Sequence, residues 1–269
     1  MSIITISRRP FSRGGEIAEH VAKELGYECV AREILFDAAM RFNVPDAHIL
    51  SAIHDAPSFS DHFHYGRERY VAFFQATLLE ILQKDDVVYH GLAGHFFVQG
   101  ISHVLKIRII TGMKERVHVL TQREHMSPKN AERLIKREDN DRRKWSRHLY
   151  GIDTWDPSLY DFVLNIAELS VSEAAEIICN TVKMERFRTT SESINSMNDL
   201  VMAARLKVAL MSLCPKVEVQ VEKGQAFIMT QSSSLENEEL LEKIEKTAQS
   251  ISGLKGVEIE LGHLVRHFD

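Results

Sequence analysis

Cysteine is scarce in this chain: Cys29, Cys179 and Cys214 are the only three in 269 residues. So few thiols, so widely spaced, supply neither a disulfide framework nor a four-thiolate zinc site. Their default role is that of small buried hydrophobes in a reducing compartment. Long apolar runs are missing too. No stretch approaches the roughly 20 residues that span a bilayer, and the opening "MSIITISRRP" has no basic region ahead of a long apolar segment. Positive charge is not in excess, because 33 Lys and Arg stand against 38 Asp and Glu for a net charge of −5. That balance excludes a global attraction to nucleic acid or acidic membranes and requires any anion site to be local. A cytoplasmic protein is expected, with no nucleic-acid or membrane partner.

What is present is the material for a sizeable core: 44% of the residues are hydrophobic, and a chain of this length buries roughly three quarters of its unfolded surface. Ile3, Ile4 and Ile6 make a β-branched run. Ile17, Val21 and Leu25 then recur at helical spacing up to Gly26, a natural helix stop. "EILFDAAMRF" has a second helical pattern, and Tyr70 to Leu82 a long third one with a strong apolar face. "DVVYHG", "LKIRIIT" and "YDFVLNI" read as short buried strands, each followed by a longer helical or loop segment. Strands alternating with helices predict an α/β domain with a mainly parallel sheet. Its last helix lies in "SVSEAAEIICNTV", with Ser170 or Ser172 as N-cap and an end near Val182.

From Lys183 the texture changes. The polar stretch through residues 184–197 reads as a linker between a domain of residues 1–183 and another of residues 198–269. The second has a helical stripe (Val201, Ala204, Val208, Met211) and alternating Val217, Val219 and Val221. A turn at Lys223-Gly224, an amphipathic "NEELLEKIEKTAQSI" and a final "GVEIEL" strand complete it. This order of helix, strand, strand, helix, strand resembles a BON domain, with "EKGQAFIM" at the family's hairpin and "ISGLKGVEIEL" at its closing strand. The resemblance implies a small α+β domain that serves a protein partner or self-association.

"SRRPFSRGGE", Ser7 to Glu16, lies where a phosphate loop would join the first strand to the first helix. A loop of the form G-x-x-x-x-G-K-[ST] cradles phosphates with backbone N–H groups, neutralises them with lysine and holds magnesium with its hydroxyl. Here the register is Arg9-x-x-x-x-Gly14-Gly15-Glu16, so the first glycine, the lysine and the hydroxyl are all replaced. What remains is the position, three arginines (Arg8, Arg9, Arg13) and a helix N-terminus whose dipole attracts anions.

Four stretches in order, "ITISRRPFSRGGEIAEHVAKELGYECVAREIL", "VVYHGLAGHFFV", "LKIRIITGMKERV" and "AERLIKREDNDRRKWSRHLYGIDTWDPSLYDFVLNI", resemble the cytidylate kinase-like family of P-loop nucleoside monophosphate kinases. The resemblance covers residues 1 to about 182 and implies a parallel sheet flanked by helices. It also implies ATP and Mg2+ as cofactors and a nucleotide or phosphorylated small molecule as acceptor. On that resemblance Arg8, Arg9, Ser12, Arg13, Gly14, Gly15 and Glu16 meet the donor phosphates, and Arg32 and Glu33 lie on the acceptor side; His90, at the end of a strand, is a further candidate to contact a substrate phosphate. Arg137, Arg142 and Arg143 belong to a lid that closes over the transferring phosphoryl group. "HGLAG" occupies the place of a "GRD"-like turn, with Leu92 for its arginine and Ala93 for its acid.

Each of these features has a plainer reading beside it. The interleaved Glu132, Glu138, Asp139 and Asp141 make the lid segment a mixed-charge helix that could be no more than a solvated face. "HLYGIDTWDPSLYD" reads as a packed loop with Asp caps. His90 and His95 flank "GLAG" at a strand end, where α/β sheets bind ligands, but with no carboxylate or cysteine motif beside them they predict no metal site. Two functions stay open: an ATP-dependent kinase with an altered phosphate loop, and a catalytically weak or inactive module that senses a nucleotide or another anion.

Overall fold

The computed structural model describes residues 1–31, 66–91, 94–230 and 238–261. The expected "EILFDAAMRF" helix and the residues Arg32, Glu33, Leu92 and Ala93 lie outside them. The first elements are β1 (Ile3–Arg8), α1 (Gly14–Leu25), β2 (Glu28–Val30), α2 (Gly66–Leu82), β3 (Val87–His90), α3 (Gly94–Phe97) and β4 (Val104–Ile110). There follow α4 (Met113–Glu124), α5 (Pro128–Tyr150), β5 (Phe162–Asn165), α6 (Val171–Val182), α7 (Ser191–Leu210), β6 (Glu218–Glu222), β7 (Gln225–Thr230), α8 (Glu238–Gln249) and β8 (Gly256–Leu261).

The first five strands pair in the order β2-β3-β1-β4-β5, and every pairing is parallel. β1 is therefore central, with Ile6 beside His90 on one side and Ser7 beside Arg108 on the other. Strands buried on both faces need continuous apolar runs, which is how "IITI", "VVY" and "LKIRII" read. Ile4, Ile6, Val88, Leu105, Ile107 and Ile109 pack with Ile17 and Val21 of α1 and with Ala174 and Ile178 of α6. Ser170 is the cap of α6, in a reciprocal capping box with Glu173.

The chain divides into two compact units, residues 1–62 with 84–190 and residues 63–83 with 191–269. This differs from the expected division in two respects. α2, expected in the first domain, packs with α7 in the second unit, where Arg205 Nε donates to Glu80 Oε1. The presumed linker carries a 3-10 turn, Glu185–Phe187, and the first turns of α7, in which Ser193 and Met197 are buried. Polar sequence there reflects one wet helix face, not an open connection.

In the second unit β6 and β7 are antiparallel, β7 and β8 parallel. The hairpin turn at Lys223 (φ 52°) and Gly224 (φ 83°) has two left-handed residues in succession, as a tight two-residue hairpin requires. Asp199 of α7 accepts from the backbone N–H of both.

A cationic loop between β1 and α1

The loop Arg9–Arg13 connects the central strand to α1 and is held in place by side chains that a glycine-rich loop would not have. Phe11 (φ 59°) and Arg13 (φ 58°) both adopt the left-handed conformation, which for a non-glycine residue costs roughly 1–2 kcal/mol. Phe11 offsets this by packing against the apolar contact of Leu120, Ala131 and Ile135 between α4 and α5. Arg116, wholly buried on α4, donates from Nε to the carbonyl of Pro10 at 2.8 Å. Its Nη1 and Nη2 grip both carboxylate oxygens of Asp139 on α5, at 2.7 and 2.8 Å. The loop conformation is thus imposed from the helical hairpin behind it.

Gly14 is required by close approach, since a Cβ there would lie 2.8 Å from the Cβ of Arg8. At the start of α1 the cap residue, Arg13, makes no side-chain cap hydrogen bond. The first-turn N–H groups of a helix have no partner inside it and carry partial positive charge. Arg13 turns outward to Glu16, at 2.8 Å, and both are exposed. Gly15 faces His90: a Cβ there would lie 3.6 Å from His90 Cε1. The Ser12 hydroxyl is completely buried and has no hydrogen-bond partner among the described residues.

Two further cations complete the site. Arg9 reaches over the Trp155 ring, 5.2 Å from its centroid, and its buried Nε has no acceptor among the described residues. Burial lowers its affinity for a proton, and so do neighbouring Arg116 and Arg108, while Asp139 opposes them. Arg108 is 6% exposed on β4. Among the described residues it donates only to neutral oxygens, the hydroxyls of Ser7 at 3.4 Å and Tyr160 at 3.1 Å. A buried guanidinium without a carboxylate carries a desolvation penalty that a bound anion would relieve. His95 on α3 is 2% exposed and stacks with Tyr160 at 4.7 Å between centroids. Its Nε2 has no hydrogen-bond partner among the described residues. Burial, reinforced by Arg108 and Lys106, pushes its pKa down to about 3, so the imidazole is neutral.

The structure thus gathers Arg8, Arg9, Ser12, Gly14, Gly15 and His90 at the carboxyl ends of β1 and β3, whereas Arg13 and Glu16 neutralise each other at the rim. The three arginines expected to form a lid separate. Arg143 stacks over Trp155 at 4.3 Å and pairs with Asp153, so it joins Arg9 across one indole. Arg142 lies along α5 beside Glu138 at 3.9 Å, and Arg137 is exposed. Asp153 also accepts from Arg147 and the backbone N–H of Trp155, and these bonds, that from Arg143 first, hold its pKa far below the carboxylate range. Sequence reading missed Arg108 and Arg116. The signal for Arg108 was a lone arginine inside the apolar run "LKIRII"; Arg116 sits among other charged residues of α4 and carried none.

The family model for "Cytidylate kinase-like family" matches residues 3–168, more than half of the chain and all of this site. The chain belongs to the cytidylate kinase-like family. This cytidylate kinase-like chain is 26% identical over 188 residues to the cytidylate kinase of Sulfolobus acidocaldarius, a match covering 69% of this chain and 97% of that protein. With the cytidylate kinase of Thermoplasma acidophilum it shares 25% over 184 residues, 66% of this chain and 91% of the relative. Among solved structures, an uncharacterized protein from Eubacterium ventriosum superposes with a TM-score of 0.52 at 15% identity, covering 67% of this chain and 97% of that one. At that identity the likeness concerns the fold alone.

Proposed function

We propose that this protein is a kinase-like phosphotransferase that binds ATP through the β1–α1 loop and passes phosphate to a nucleotide or a phosphorylated small molecule. The observation that carries this reading is Arg108, buried beside Ser7 and close to Arg9 with no carboxylate partner among the described residues. With Arg9 and the uncapped start of α1 it supplies the positive charge that lysine gives in a standard phosphate loop. Phosphoryl transfer asks mainly for positioning and for charge around the phosphate oxygens. The names of the relatives support a nucleotide as acceptor. Leu92 and Ala93, in place of the "GRD" pair, argue against tight cytidylate binding.

The site fits ATP better than it fits its metal. Ser12, Arg9 and Arg108 offer hydrogen-bond donors to phosphate oxygens. No group of three His, Cys, Asp or Glu among the described residues is placed to hold an ion, and Glu16, at the register of the magnesium hydroxyl, is tied to Arg13. Magnesium would therefore arrive with the phosphates that ligate it. A second reading, a nucleotide-sensing module without turnover, is favoured by one observation: Arg116, Arg142 and Arg143 all sit beside carboxylates.

Two variants test the reading. Arg108→Gln keeps hydrogen bonding and removes the charge. Since a hydrogen bond to a charged group is worth roughly 1.5–3 kcal/mol, ATP affinity measured by calorimetry should fall by roughly ten- to a hundredfold. Unchanged affinity in a folded variant would remove Arg108 from the site. Gly15→Lys restores the missing lysine at a position with room for a side chain, and affinity should rise by a similar roughly ten- to hundredfold factor. If it does not, the loop lacks the expected phosphate geometry or another cation already fills the place. Transfer of labelled γ-phosphate from ATP to CMP and other monophosphates separates kinase from sensor.

For the second unit we propose a BON-like domain. The order α7, β6, β7, α8, β8, with one antiparallel and one parallel pairing, supports that reading.

A further inference from the structure

The sheet of the second unit has one face in the core and one turned away from it. Val219, Val221, Ala226, Ile228, Val257 and Ile259 point into the core. Strand alternation turns Glu218, Gln220 and Glu222 of β6, Phe227 and Met229 of β7, and Glu258 and Glu260 of β8 to the other side. The register places Met229 between Glu218 and Glu260, and Phe227 between Gln220 and Glu258. Phe227 and Met229 are only half-buried and lie outside the core. The five outer polar side chains are exposed, and the four carboxylates among them have no ion-pair partner among the described residues. An apolar strip thus runs between two carboxylate rails, with no cation of the three strands on the face among the described residues.

We propose that this face docks a cationic amphipathic helix of a partner protein, laid along β7 with apolar residues over Phe227 and Met229 and lysines or arginines over the rails. The argument is charge complementarity joined to dimension. Adjacent strands lie about 4.8 Å apart, which puts the rails roughly 9.5 Å apart, close to the 10–12 Å width of a helix. Phe227 and Met229 are about 6.7 Å apart along the strand, near the roughly 6 Å rise between positions i and i+4 of a helix. The half-exposed aromatic and thioether supply the desolvated centre that an interface needs, and the glutamates supply register and on-rate. The inference is independent of the phosphate site.

The probe is a fluorescein-labelled synthetic helix of leucine and lysine, about five turns long, read by anisotropy against the full chain at low and high salt. Its counterpart carries glutamate in place of lysine. The lysine peptide should bind, more weakly at high salt, and the glutamate peptide should not. E218Q/E258Q/E260Q and, separately, F227T/M229T should each weaken binding by at least roughly tenfold with unchanged unfolding midpoints. Absence of binding overturns the proposal. So does a loss confined to the charge variant, which would reduce the face to generic attraction. So, finally, does binding that appears only when the chain ends at Leu261, which would make residues 262–269 the occupant.

Discussion

Replacement of Arg116 by methionine is expected to lower the free energy of unfolding by about 3–5 kcal/mol, the range for removing one partner of a buried ion pair. Arg116 is wholly buried, and the Asp139 side chain is only 12% exposed. Methionine fills the same channel but leaves Asp139 without its two guanidinium bonds and the Pro10 carbonyl without its donor. The double variant R116M/D139L should regain most of the loss, because an apolar pair of similar volume has no charge to desolvate. A remainder of about 1–3 kcal/mol would report the orphaned carbonyl. Denaturant unfolding of both singles and the double gives the coupling directly. A single variant within about 1 kcal/mol of the wild type would show that this pair holds nothing together, since typical buried-pair losses are several times larger. Because the same guanidinium fixes the carbonyl of Pro10, R116M should also loosen the β1–α1 loop and weaken the ATP binding proposed for it.

Acid should destabilise the first unit through His95. Its folded-state pKa lies near 3, below the ordinary value of roughly 6.5. The unfolded chain therefore binds a proton that the folded chain refuses. The contribution of the neutral imidazole is complete above the ordinary pKa and is lost as pH falls from there towards the folded value. Its slope approaches 1.4 kcal/mol per pH unit. Between about pH 6.5 and 4.5 the wild type should lose roughly 2–3 kcal/mol relative to His95→Leu, which has nothing to protonate there. Unfolding of both proteins across this range is the measurement. Parallel pH profiles would mean that His95 is accessible to protons in the native state. The comparison with the variant also removes the contribution of His103, whose pKa burial lowers in the same direction.

The fold class and much of the element order were legible in the sequence because they rest on local periodicity. "IITI", "VVYH" and "LKIRII" are short and rich in β-branched residues, which reads as buried strand, and Ile17, Val21 and Leu25 recur at the spacing of a helix face. The Lys223-Gly224 hairpin and the Ser170 cap follow from backbone chemistry confined to a few residues. The position of the loop after β1, and hence the candidate site, came from the same local order. What periodicity cannot carry is which distant residues meet. A polar stretch before residue 198 looks like a linker until α7 buries Ser193 and Met197, and nothing local says that α2 belongs with α7. The charge census of α5 is likewise readable, but the fate of each cation is not. Arg143 goes to Asp153 and Trp155, and Asp139 goes to Arg116, through contacts 10 and 23 residues apart. Composition determined that any anion site must be local, because the chain has no positive charge to spare. Only the tertiary structure decided which guanidiniums are consumed by carboxylates, and that Arg108 is buried with only neutral acceptors among the described residues, because that depends on the side chains that folding brings within hydrogen-bond reach.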